Sequence, residues 1–64
     1  MQIKDLLKLI GCTEYVRIYT DGDVPDYEGQ AGDVPWWLAE CEIYLGSEIG
    51  IEDDKYIAMN AKIV

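Results

Sequence analysis

The run EIYLGSEIGIEDDKYIAMNAKIV, residues 42–64, decides the fold. From Glu42 to Glu52 the side chains alternate. Ile43, Leu45, Ser47, Ile49 and Ile51 fall on one side; Glu42, Tyr44, Gly46, Glu48 and Glu52 fall on the other. From Lys55 the alternation resumes, with Ile57, Met59, Ala61 and Ile63 inward and Tyr56, Ala58, Asn60 and Lys62 outward. A period of two sends successive side chains to opposite faces of a sheet. Asp53-Asp54 breaks the pattern between the runs, so the two read as one hairpin with a short polar connection.

Upstream, Asp33-Val34-Pro35 has the form of a helix start. Asp33 or Val34 serves as cap and Pro35 as the first helical residue, where a missing N–H costs nothing. This brief helix would end near Glu40 or Cys41, with Val34, Trp37, Leu38 and Cys41 on one face and Trp36 and Glu40 on another. Tyr27 to Ala31 reads as a weak edge strand, and Asp21-Gly22-Asp23 as the break before it. Glu14 to Thr20 reads as a strand with Val16 and Ile18 on one face and Tyr15, Arg17 and Tyr19 on the other. Ile3, Leu6, Leu7 and Ile10 lie at i, i+3, i+4 and i+7, the apolar stripe of a helix, and Gly11 ends it. Residues 1–64 thus read as a single small α+β domain. The expectation is a small antiparallel sheet of three to four strands, an N-terminal helix and a short second helix, in the order α-β-(β)-α-β-β. Gly22-Asp23-Val24-Pro25 recurs as Gly32-Asp33-Val34-Pro35, two turns using the same chemistry.

Charge narrows the function. The chain has five Lys and Arg against thirteen Asp and Glu, a net charge of −8. Between Arg17 and Lys55 there is no positive charge, and those 37 residues hold eleven of the carboxylates and both tryptophans. A phosphate-binding surface needs clustered Lys or Arg, so direct nucleic-acid binding and binding to anionic membranes are disfavoured. A basic protein partner is favoured. The start of the chain carries no secretory pattern, no segment is long enough to span a bilayer, and a cytoplasmic location is expected. Cys12 and Cys41 read as two reduced, small buried hydrophobes, with a single disulfide between them as the alternative.

Candidate sites follow. Asp21, Asp23 and Asp26 are closely spaced oxygen donors of the kind calcium takes. Counted as a twelve-residue loop from Asp21, however, they place Asp26 where glycine belongs and Gly32 where glutamate belongs. A calcium-responsive loop stays as an alternative, and no metal or cofactor is expected. With no histidine, Ser47 and the cysteines lack the usual catalytic base, and no nucleophile elbow or phosphate-binding glycine loop is present. The expectation is a protein that is not an enzyme. Tyr15, Tyr19, Tyr44 and Tyr56 fall on one sheet face with Arg17, Glu42, Glu48 and Lys62 among them, and Trp36 is hard to bury together with Trp37. Tyrosine and tryptophan concentrate in interface cores. The expected partner-binding residues are therefore Trp36, Tyr15, Tyr19, Tyr44 and Tyr56 with the carboxylates Asp21, Asp23, Asp26, Glu52, Asp53 and Asp54. A homodimer built on the tyrosine face or Trp36 is the competing reading.

The helix around Ile3-Lys4-Asp5-Leu6-Leu7, then Val16-Arg17-Ile18-Tyr19, Tyr27-Glu28-Gly29, Asp33-Val34-Pro35-Trp36-Trp37-Leu38 and a closing strand around Ile57 together resemble small accessory proteins of bacteriophages and prophages of Gram-positive bacteria. The resemblance covers most of the chain and carries over no catalytic residue. It implies a bacterial host cytoplasm and, for a small acidic protein, inhibition of a host nucleic-acid-handling or defence protein in the manner of anti-CRISPR proteins.

Overall fold

A computed structural model describes residues 1–44 and 49–62. Leu45, Ser47 and Ile63, assigned inward above, lie outside the described residues, as do Gly46 and Glu48, assigned outward. The first helix, α1 (Ile3–Ile10), buries Ile3 completely and rests Leu6, Leu7 and Ile10 on the core. Asp5 accepts the Gln2 N–H at 3.0 Å in its first turn, where a carboxylate also meets the positive end of the helix dipole. Gly11 closes it at φ 105°, donating to Leu7 at 3.1 Å.

Strand β1 (Tyr15–Tyr19) forms a hairpin with β2 (Tyr27–Gln30). A 3-10 turn (Ala31–Asp33) leads to the single-turn helix α2 (Trp36–Ala39), with Pro35 at its cap. Three strands follow: β3 (Glu42–Ile43), β4 (Gly50–Glu52) and β5 (Tyr56–Lys62). The domain is α+β, as expected. Among the described residues its sheet is larger than expected and mixed, with five strands in the order β2-β1-β5-β3 and β4 also on β5. β5 runs parallel to β1 and antiparallel to β3 and β4, so the hairpin partner of β5 occupies one of its edges and β1 the other.

The extra strand comes from a break in the expected run 42–52. Ile43 stands opposite Ala61 and Tyr44 donates to Asn60 at 2.8 Å, whereas Gly50 already stands opposite Ala58. Between the Tyr44–Asn60 and Gly50–Ala58 pairings the sequence has five residues on one side and Met59 alone on the β5 side. Four extra residues are an even number, so Ile51 returns to the core side of the sheet, opposite Ile57. The helices do not reach that corner, and Ile49 and Ile51 are 48% and 72% exposed. Their inward assignment is corrected: Ile51 points to the core side, but no described helix covers that end of the face.

The core is Ile3, Val16, Ile18, Ala31, Leu38, Ile43, Met59 and Ala61. Leu38 brings α2 onto it, flanked by Val34 and Cys41, while Trp37 is half exposed rather than inward. One turn of helix offers a narrow stripe, and Val34, Leu38 and Cys41 fill it at i, i+4 and i+7. Cys12 is exposed, against expectation; Cys41 packs on the core and its Sγ donates to the Trp37 carbonyl at 3.2 Å. At the sheet edge Tyr27 folds across Gly29 and donates to the Gln30 carbonyl at 2.6 Å; a Cβ on Gly29 would sit 2.8 Å from the Tyr27 hydroxyl. No helix among the described residues is long and apolar enough to cross a membrane.

The hairpin turn is tight. Asp53 and Asp54 both have φ near +55°, and Lys55 donates to the Glu52 carbonyl at 3.1 Å. Two consecutive left-handed residues mark the type I′ turn, which matches the strand twist but favours glycine at its second position. Asp54→Gly is therefore expected to stabilise the domain by about 0.5–1 kcal/mol, a rise of roughly 3–6 °C in Tm by calorimetry.

Candidate functional site

Two faces of the sheet divide the labour. The Val16, Ile18, Met59 and Ala61 face carries the helices. The opposite face is built by the alternate residues Tyr15, Arg17 and Tyr19 of β1, Glu28 and Gln30 of β2, Glu52 of β4, and Tyr56, Ala58 and Asn60 of β5.

Arg17 organises this face. Its Nε meets Glu28 at 2.5 Å, and its Nη1 meets Asp53 at 2.8 Å and Glu52 at 3.2 Å. Its guanidinium carbon lies 4.0 Å from the centre of the Tyr56 ring. One cation therefore bonds carboxylates from β2, β4 and the hairpin turn while stacking on β5. Register explains the reach. Ala58 sits level with both Arg17 and Gly50, and these small residues let side chains of β1 cross β5 to Glu52. The Tyr19 hydroxyl makes the same crossing and donates to Glu52 at 2.6 Å. Tyr15 and Tyr56 pack edge to face with centroids 5.9 Å apart, and the Lys55 ammonium lies 4.1 Å from the Tyr15 ring centre. Aromatic faces attract cations held at this distance.

These contacts set the titration. The bond to Glu28, aided by Asp53 and Glu52 against the cost of burial, holds Arg17 charged far above its already high value. The Tyr19 hydrogen bond, then Arg17, holds Glu52 below the usual carboxylate range. The same bond, then burial, pushes Tyr19 up. Tyr27 is raised as well, by burial and by the charge of Asp33.

The expected binding residues are distributed unevenly. Tyr15, Tyr19, Tyr56, Glu52 and Asp53 come together on the open face. Tyr44 is half exposed and opposite Asn60, at the β3 end. Asp21 and Asp23 are exposed in the loop after β1. Asp26 is engaged locally, its carboxylate accepting the Thr20 N–H at 2.9 Å and hydroxyl at 2.5 Å. Asp54 is exposed in the hairpin turn. Trp36 is 74% exposed but lies on α2, in the helix layer on the far side of the sheet. One flat contact cannot include both it and the tyrosines. No three potential ligands converge on a metal position among the described residues. Arg17, Glu28, Lys55, Ala58 and Asn60 belong to this face as well and are not among the expected binding residues. The Arg17–Glu28 pairing was foreseeable from a hairpin centred on Gly22-Asp23; the link to Glu52 was not, because it depends on which strand lies between.

Comparison with protein-family models, with curated proteins and with solved structures finds no match to this chain.

The Tyr19–Glu52 bond gives a signed pH dependence. Glu52 has a lowered pKa, so its contribution is present above the ordinary carboxylate value and lost as pH falls through the lowered one. Tyr19 has a raised pKa, so its contribution is complete below the ordinary phenol value and lost as pH rises through the raised one. Tm should fall as pH rises above the ordinary phenol value of about 10. Tyr19→Phe should show a shallower fall, the remainder belonging to Tyr27. Parallel curves would mean that the Tyr19–Glu52 bond does not stabilise the fold.

Proposed function

We propose that this chain is a non-enzymatic, phage- or prophage-type accessory protein that binds a basic surface of a host protein, acting as an inhibitor of a nucleic-acid-handling or defence protein in the bacterial cytoplasm. The observation that carries the reading is the composition of the open face. Its central cation, Arg17, is already engaged by three carboxylates, around a platform of Tyr15, Tyr19 and Tyr56. Asp21, Asp23 and Asp54 stand exposed at its rim. A rigid aromatic centre with a charged rim suits a partner of opposite sign: the rim steers and selects while the aromatics supply the desolvated contact. A basic channel that holds nucleic acid is a surface of that sign, and the resemblance to phage accessory proteins points the same way.

The protein immobilised as bait should retain from a bacterial lysate a partner that nucleic acid displaces. Retention should drop steeply between about 0.05 and 0.5 M salt. Asp21→Asn with Asp54→Asn should weaken it several-fold, since neither carboxylate makes an ion pair among the described residues. Capture indifferent to salt and to both substitutions would end the reading.

The exposed pair Trp36 and Trp37 supports a second one, self-association through the helix layer. Light scattering should then give a dimer mass at tens of micromolar that reverts to a monomer in Trp36→Ala; a monomeric parent protein excludes it.

A further inference from the structure

The open face holds a groove of about 280 Å³ lined by Tyr19, Gly22, Asp23, Glu52, Ala58 and Asn60. Its floor follows from register. Ala58 offers only a methyl group, its neighbour Gly50 offers no side chain, and a Cβ built on Gly50 would meet nothing within 4 Å. The next position along β5 on this face is Asn60, level with Tyr19. The depression thus lies toward the end of the parallel pair β1 and β5, with the loop after β1 as its outer wall.

The walls carry acceptors. Both hydrogen bonds to the Glu52 carboxylate among the described residues, from Tyr19 and Arg17, fall on Oε1, so Oε2 is the atom open to a new donor. Asp23 is exposed and makes no ion pair among the described residues, and the Asn60 side chain makes no hydrogen bond among them. The bond to Glu52 fixes the Tyr19 ring as a wall. Arg17 does not neutralise the region: the groove and the cluster beside it set Arg17, and Lys55 over the Tyr15 and Tyr56 rings, against the four carboxylates Glu28, Asp23, Glu52 and Asp53.

We infer that this groove is a receptor for a single arginine side chain of the partner, whose guanidinium bridges Asp23 and Glu52, donates to the Asn60 amide oxygen and stacks on Tyr19. A guanidinium is planar, carries five N–H donors in a fixed fork and stacks on aromatic faces, so it can serve acceptors on two walls at once. An ammonium is drawn by the same charge but has neither the plane nor the fork. The inference rests on the partner-binding reading above and adds the chemical group that the face selects.

The test is an amide NMR titration of the labelled protein with N-acetyl-arginine methylamide and, separately, N-acetyl-lysine methylamide, at constant ionic strength. Arginine should give saturable shifts confined to Gly22, Asp23, Glu52, Ala58 and the Asn60 side-chain amide, and lysine should bind about tenfold more weakly. Asp23→Asn, an exposed change that leaves the fold intact, should weaken arginine about tenfold. Ala58→Leu, which fills the floor, should abolish the localised shifts, and its own spectrum reports whether it folds. Equal saturation by lysine, shifts spread over all the carboxylate-bearing segments, or arginine binding unchanged in Asp23→Asn would overturn the inference. Lysate capture with Asp23→Asn separates this failure from that of the broader reading. A partner retained undiminished by Asp23→Asn leaves the binding face standing without the arginine receptor. Arginine binding with no salt-sensitive partner leaves the groove without that function.

Discussion

Strand β5 must satisfy two neighbours along one short length, and the molecule is arranged around that demand. On one edge it runs parallel to β1, from Val16–Ile57 to Tyr19–Asn60. On the other it takes β4 and then β3, antiparallel. Its core-facing residues Met59 and Ala61 are buried under the helices, while Ala58, on the other face, is small enough to let side chains cross it. A larger residue at Ala58 would separate Arg17 and Tyr19 from Glu52. The size of that one side chain thus joins the packing of the sheet to the chemistry of its open face.

Arg17 shows how an acidic chain can display charge without being pushed apart by it. A net charge of −8 on a small domain is self-repulsive. Placing one guanidinium among Glu28, Glu52 and Asp53 concentrates the compensation where four strands meet and leaves the rim carboxylates outside it. The result is a face that is cross-linked in its middle and negative at its margin. The tryptophans occupy the other layer, since Leu38 takes the buried position on α2 and turns Trp36 and Trp37 outward. The molecule has two distinct exposed aromatic surfaces, one polar and one apolar, separated by the sheet.

The hairpin edge illustrates where periodicity stops being informative. Ile49 and Ile51 alternate as well as Ile57 and Met59 do, and Ile51 does lie on the core side of the sheet. It is exposed because α1 and α2 end short of it. Alternation reports the side of the sheet to which a residue points; burial requires something on that side.

Much of this was determined by the sequence itself. The helix stripe of Ile3, Leu6, Leu7 and Ile10, the inward pair Val16 and Ile18, the Asp53-Asp54 turn and the tyrosine face are all local patterns, set by 3.6- and two-residue periods and by turn chemistry within a few residues. The negative sign of the surface was likewise legible, since composition alone carries it. Only the tertiary structure decided that β1 pairs in parallel with β5, that the 42–52 run is split, that Glu52 reaches Tyr19 and Arg17, and that Trp36 lies across the sheet from the tyrosines. Each of these joins residues far apart in the chain, where several partners satisfy the same local pattern. The choice among them falls to the burial of one shared core.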